Sequence, residues 1–206
     1  MLIQRLSLGQ LQANCYLLIE ENKCLIIDPA DEADFILEKI QRENLEPVAL
    51  LATHGHFDHI MAAGEIQLSY NIPLYIHPDD LFLVKRLRET AKYFLGYEPV
   101  IVDPRNLVEL KENFSISPPA GGFKFQIIPT PGHTPGSCCF YFKEENAIFT
   151  GDTLFHSAIG RYDFSYSNFN DLKTSLKQLF KLPKETIVYA GHGEETTISG
   201  EGFNFS

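Results

Sequence analysis

The chain has no tryptophan and only two methionines, and none of its apolar runs approaches the length of a membrane span. Its first residues, Met1-Leu2-Ile3-Gln4-Arg5-Leu6, lack the basic region, long apolar stretch and small-residue cleavage site of a secretory signal, so a cytoplasmic location is the expectation. Cysteine is sparse. Cys15, Cys24, Cys138 and Cys139 form no CxxC pair, and the adjacent two point to opposite faces of a strand, so four reduced core thiols are expected. Positive charge is also short: 17 Lys and Arg stand against 27 Asp and Glu, a formal net charge of −10. That balance argues against nucleic acid as a partner, since phosphate binding runs on clustered cations. With 44% hydrophobic residues in 206, the chain is long enough for a large core, and a single domain over 1–206 is expected.

Histidine is scarce as well, yet three of the 7 fall in Thr53-His54-Gly55-His56-Phe57-Asp58-His59, directly after the apolar run Val48 to Ala52. Neutral imidazole and carboxylate are the ligands that zinc and its first-row neighbours prefer. In extended chain His54 and His56 point the same way and can grip one metal. Where a helix begins, Asp58 and His59 are redirected toward a second.

Around this stretch the pattern alternates strands and helices. Residues 11–20 and 24–27 read as a hairpin around Glu21-Asn22-Lys23, ending at Asp28-Pro29, where Asp28 can orient a histidine ring from behind. Ala33, Ile36, Leu37 and Ile40 have helical spacing within 31–43, and Pro47 separates them from the strand at 48–52. A helix is expected from about Ile60 to Tyr70, a strand at 74–76, and one helix carrying Leu81 to Phe94. His77, before proline, reads as a turn residue. Prolines at 99, 104, 118 and 119 make 96–122 a loop region with one or two short strands. Strands at 123–128, 138–142, 147–150 and 187–190 follow. Pro131-Gly132-His133-Thr134-Pro135-Gly136-Ser137, Gly151-Asp152 and Gly191-His192-Gly193 lie at their ends. Ser137 reads as a turn-former, because no base accompanies it. A helix over 170–180 is expected to be capped by Asn170 or Asp171, and 199–206 to be loosely ordered.

Taken together these motifs resemble the metallo-β-lactamase-fold superfamily, from about residue 11 to residue 198. The resemblance implies an α/β fold, an αββα sandwich of two mixed β-sheets flanked by helices, with metals along one edge. Carried over by position, it implies His54, His56 and His133 on one metal, Asp58, His59 and His192 on the other, and Asp152 bridging both. The implied cofactors are two divalent ions, zinc first, with iron or manganese as alternatives. Such a pair lowers the pKa of bound water to about 7 and polarises a carbonyl. Asp58 would orient the nucleophile or take its proton, and the positive site would favour a small anionic substrate.

Gly151-Asp152-Thr153-Leu154-Phe155, followed by Ile159-Gly160-Arg161-Tyr162-Asp163-Phe164, is similar to small glyoxalase II-like hydrolases. These imply cleavage of a thioester or related ester. Only 14 residues follow His192, so the helical C-terminal domain that holds glutathione in the longer relatives is not expected. Phe155, His156 and Arg161 are the expected substrate contacts. The Gly-Arg-x-Asp-Phe pattern also occurs in persulfide dioxygenases, which use one Fe(II) on the positions of His54, His133 and Asp152. That reaction is the second reading, a non-catalytic metal-binding protein the third, and antibiotic hydrolysis a poorer match. Nothing in the sequence sets the oligomeric state.

Overall fold

Period-two alternation of apolar side chains decides the architecture. The computed structural model describes residues 1–110 and 123–202. β1 (Leu2–Leu8), β2 (Ala13–Glu20) and β3 (Lys23–Ile27) are antiparallel neighbours, and β4 (Glu46–Leu51), β5 (Leu74–Ile76) and β6 (Leu107–Glu109) extend the sheet in parallel. Further along come β7 (Gln126–Pro129), β8 (Cys138–Phe142), β9 (Ala147–Gly151), a small hairpin of β10 (Leu154–Phe155) and β11 (Ala158–Ile159), then β12 (Ile187–Ala190) and β13 (Thr196–Thr197). The second sheet has the order β13-β12-β9-β8-β7, with β9 and β12 parallel.

Tyr16, Leu18, Leu25, Ile27 and Leu51 of the first sheet meet Phe140, Phe142 and Phe149 of the second in one buried layer. The residues between them face outward. Leu17, Ile26 and Leu50 pack under α1 (Ala33–Arg42), beside α2 (Phe57–Ile60) and α3 (Ala63–Ser69). Cys139, Tyr141 and Ile148 pack against Leu172, Leu176 and Leu179, the buried stripe of an α-helix over Phe169–Leu179. The result is an αββα sandwich of two mixed sheets. Each buried Leu, Ile or Phe stabilises it by about 1.5–3 kcal/mol. The four cysteines are free and buried, on opposite faces at Cys138 and Cys139. Burial pushes their thiols up, to about 12 at Cys24 and Cys139, so none is a ready nucleophile.

Several boundaries differ from the sequence expectations for local reasons. β1 was not anticipated, because its outer face is half exposed and its pattern correspondingly weak. Pro47 lies inside β4, opposite Cys24, where the register shifts, while β5 pairs only from Leu50 onward. The missing N–H is thereby accommodated. The single helix expected over 81–94 is broken at Arg86 into α4 (Leu81–Lys85) and α5 (Leu87–Leu95). The helix over Phe169–Leu179, α6, is capped by Asn168, whose side chain accepts from the N–H groups of Asn170 and Asp171. Those two residues therefore receive the cap rather than provide it.

At the C-terminal end, Ile198–Glu201 forms a 3₁₀ turn, correcting the expectation of loose order there. Glu201 is 4% exposed, and its carboxylate accepts from Ser157 N and Thr196 Oγ1, both at 2.7 Å, as a buried carboxylate must. Residues 203–206 of that tail, and residues 111–122 within the region expected to be loops with short strands, lie outside the described residues. No helix among the described residues is long and apolar enough to cross a membrane.

Candidate metal centre

Four strand ends converge on one edge of the sandwich. β3 ends into Asp28, β4 into Thr53 and His54, β9 into Asp152 and β12 into His192, while His133 stands in the turn before β8. Asp28 is 1% exposed and ties two of these ends together, accepting from Thr53 N at 2.7 Å and Thr53 Oγ1 at 2.8 Å. His56 is the last extended residue before α2, so Asp58 and His59 turn away from it with the helix.

The seven residues assemble into two adjoining groups. Around one point lie His54 Nε2 and His56 Nδ1, 3.1 Å apart, with His133 Nε2 2.9 Å from His56 Nδ1 and 3.5 Å from Asp152 Oδ2. Around the other lie Asp58, His59 and His192. Asp58 Oδ2 is 3.8 Å from His59 Nε2 and 3.4 Å from His192 Nε2, and Asp152 Oδ1 is 3.3 Å and 3.8 Å from the same two nitrogens. Asp152 thus turns one oxygen to each group. Ligands about 2.0–2.1 Å from a tetrahedral ion stand about 3.3 Å apart, so these separations suit metal ions.

The outward ring nitrogens show which atoms are left for a cation. His133 Nδ1 donates to Arg161 O at 2.8 Å and His192 Nδ1 to Leu11 O at 3.1 Å, carbonyls that can only accept. His59 Nδ1 donates to Asp28 Oδ2 at 3.1 Å, and His54 Nδ1 meets Thr53 Oγ1 at 3.0 Å, whose own proton goes to Asp28. A neutral ring that donates from Nδ1 keeps a bare lone pair on Nε2. His59 Nε2 and Asp152 Oδ1 are buried and have no hydrogen-bond partner. Two such acceptors 3.3 Å apart call for a positive charge, either a metal ion or a proton on His59. The donor set fits two divalent cations.

The electrostatics follow the same logic. Burial holds His54 well below its usual range and, with His133 alongside, holds His56 at about 3, so both stay neutral. At His59 and His192 burial works downward, but Asp152 and Asp58 overcome it and raise both rings. Burial would raise Asp58 and Asp152, but the imidazoles, His59 foremost, hold both carboxyls low. A ligand histidine must be neutral, so metal binding displaces the protons that these raised rings hold. Affinity for added zinc is therefore expected to strengthen as pH rises above the ordinary histidine range of about 6.5. Competition titrations against a chromophoric chelator between pH 6 and 8, each corrected for the chelator's own protonation, check this. A pH-independent constant would contradict it.

Two residues that the sequence reading did not single out support the centre. Asp80, fully buried, ends the 3₁₀ turn after β5 and accepts from Gly55 N at 2.8 Å, Thr134 Oγ1 at 2.7 Å and Gly136 N at 2.7 Å. It joins the loop of His54 and His56 to the loop of His133. Burial raises its pKa, against the pull of those three donors. Gly136 is required there, since a Cβ would strike the Asp80 carboxyl. Tyr166 Oη lies 2.8 Å from His56 Nε2. On the far side, a Cβ on Gly191 would collide with Asp152 Oδ1 and His59, so glycine is the residue that lets β12 approach.

The ligand groups open into a cavity of about 380 Å³ walled mainly by Leu11, Phe57, Phe94, Phe155, Ile159 and Phe164. Asp58, Asp152 and His192 form its floor, and Arg161 stands on its wall. Arg161 is already engaged. Its guanidinium lies 4.5 Å from the Phe164 ring centroid and makes two bonds of 3.0 Å to Asp163. Phe155 lines this cavity, but His156 is exposed and lines only a neighbouring one. The β10–β11 turn carries it outward, although it lies just four residues after Asp152 in sequence. His77 caps the 3₁₀ turn through its ring, and Ser137 Oγ bonds Thr134, so both are turn residues.

A model of the metallo-β-lactamase superfamily matches residues 8–192. A protein of Haemophilus influenzae named hydroxyacylglutathione hydrolase GloC is 35% identical over 203 residues, covering 97% of this chain and 94% of its own length. The crystal structure of TTHA1623 in a di-iron-bound form is 37% identical with a TM-score of 0.86, covering 95% of each chain. That of BLEG-1 B3 metallo-β-lactamase is 33% identical with a TM-score of 0.88, covering 97% of this chain and 95% of the other.

Proposed function

The chain belongs to the metallo-β-lactamase superfamily, and on that premise we propose that it is a two-metal hydrolase of small thioesters or related esters. The observation that carries the reading is Asp152, whose two oxygens face two separate ligand groups. His54, His56 and His133 would hold one divalent cation and Asp58, His59 and His192 the other, with Asp152 shared. When bound, such ions supply an activated water at neutral pH and a Lewis acid for the carbonyl.

The remaining work falls to the protein. Asp58, held ionised by His59 and His192, lines the cavity floor and is the group placed to orient water or accept its proton. The apolar side chains on the cavity walls would lower the local dielectric around a bound substrate and so strengthen its charge interactions with Asp58 and Asp152. Thioester cleavage is supported by the hydrolase relative in Haemophilus influenzae. Among the described lining residues Arg161 is the one Arg or Lys, and its guanidinium is already paired with Asp163. Iron is an alternative occupant, as in the di-iron structure.

The test is a substrate panel on metal-loaded protein: S-lactoylglutathione, a short acyl-CoA, a chromogenic β-lactam, and glutathione persulfide with an oxygen electrode. Metal-dependent thioester cleavage is expected. Turnover confined to the β-lactam, or oxygen uptake on the persulfide without thioester cleavage, would overturn the reading.

A further inference from the structure

Of the five histidines in the centre, four hand their outward nitrogen to backbone carbonyls or to the buried Asp28–Thr53 pair. His56 is different on two counts. It turns Nδ1 inward, where the others turn Nε2, and its partner is Tyr166 Oη, a phenol on the cavity wall. For Nδ1 to present a lone pair, the single proton of the neutral ring must sit on Nε2. Tyr166 Oη then accepts that proton's hydrogen bond. A phenol oxygen that accepts still has its own proton to give, and among the described residues no second hydrogen bond of this hydroxyl is formed.

The ring that carries the hydroxyl is fixed in place. Tyr166 stacks on Phe164, centroids 5.4 Å apart at 15°, and meets the edge of Phe82 at 5.4 Å. Phe164 in turn lies 5.2 Å from His56 and 5.8 Å from His133. The loop between β11 and α6 therefore delivers one hydroxyl to a defined point between a candidate ligand and the open cavity.

We propose that Tyr166 is a positioning residue that works through both sides of its hydroxyl. The oxygen holds His56 with Nδ1 inward, and the proton is offered to an oxygen or nitrogen acceptor of the substrate. This rests on the reading of the site as a metal-dependent hydrolase. Substrate in the cavity thereby reaches the outward nitrogen of a candidate ligand through a hydroxyl that can still donate, whereas His133 and His192 are backed by backbone carbonyls that can only accept.

The test is Tyr166→Phe, which keeps both aromatic contacts and removes only the hydroxyl. Three readouts are needed on wild type and variant: chelator competition for zinc, the ¹⁵N tautomer pattern of the histidine rings by NMR in the zinc-loaded protein, and separate KM and kcat on the best thioester of the panel. The variant is expected to lose about 10- to 100-fold in affinity for one of the two zinc ions. It should show a changed or averaged His56 signal, and a KM raised roughly 3- to 10-fold with a smaller change in kcat. Wild-type zinc affinity together with a wild-type His56 signal would overturn the positioning role. An unchanged KM would overturn the contact with substrate. If no thioester is turned over by either protein, the functional reading fails, while the zinc and NMR readouts still decide the role of Tyr166 toward His56.

Discussion

Asp152→Ala is expected to leave the sandwich folded, to abolish shared metal binding and to lower kcat/KM by at least about 10³-fold, roughly 4 kcal/mol of transition-state stabilisation. Among the described residues no other side chain turns one oxygen toward His133 and the other toward His59 and His192. Its removal leaves the buried His59 Nε2 with only the more distant carboxylate of Asp58, at 3.8 Å, and leaves each metal position one ligand short. The carboxylate belongs to a strand end rather than to the apolar layer between the sheets, so the thermal midpoint should change little. Metal content by plasma mass spectrometry, thioester kinetics and circular dichroism on the same preparation check the three parts. A variant that keeps two metals per chain would show that Asp152 does not bridge.

Asp80→Ala is expected to act in the opposite sense, first on stability and through it on the site. Three donors, two of them backbone N–H groups, would lose their acceptor in a fully buried position. Each buried donor left without a partner costs about 1–3 kcal/mol, so a loss of about 3–5 kcal/mol is expected, near 10 °C in thermal midpoint for a chain of this size. Because the donors come from the loops of His54 and His133, zinc affinity should fall as well. Asp80→Asn keeps one oxygen and places an amide N–H against a facing donor, so it should fall between wild type and alanine. Urea unfolding of the metal-free proteins measures the cost. A change below 1 kcal/mol for alanine would mean that the loops are held by something else.

How much of this was legible beforehand depends on where the chemistry lies in the chain. His54, His56, Asp58 and His59 announce themselves because their spacing alone encodes the change from extended chain to helix. His133, Asp152 and His192 could be read only jointly, as polar residues that each follow a strand or precede one beside glycine. Asp28 was readable as the acidic end of a strand next to that cluster. Asp80 was not. In the run His77-Pro78-Asp79-Asp80 it has the composition of a turn or helix cap, and only the third dimension places it under two loops that lie 25 and 56 residues away. Tyr166 was hidden for a similar reason, being one aromatic residue in a loop of many. His156, in the turn between β10 and β11, lines a neighbouring cavity with Phe155 and His192 rather than the main one. The layers themselves followed from alternation, and the boundaries that moved did so at Pro47, Arg86 and Asn168, where one local feature outweighed the surrounding period.

The central claim is that the edge of the sandwich holds two metal ions on one shared carboxylate. The most direct measurement is the metal content of protein purified without chelator, then saturated with zinc and freed of excess. Two ions per chain are predicted in wild type, falling to one or none in Asp152→Ala. A wild-type chain that saturates at one ion, or binds none, would contradict the account.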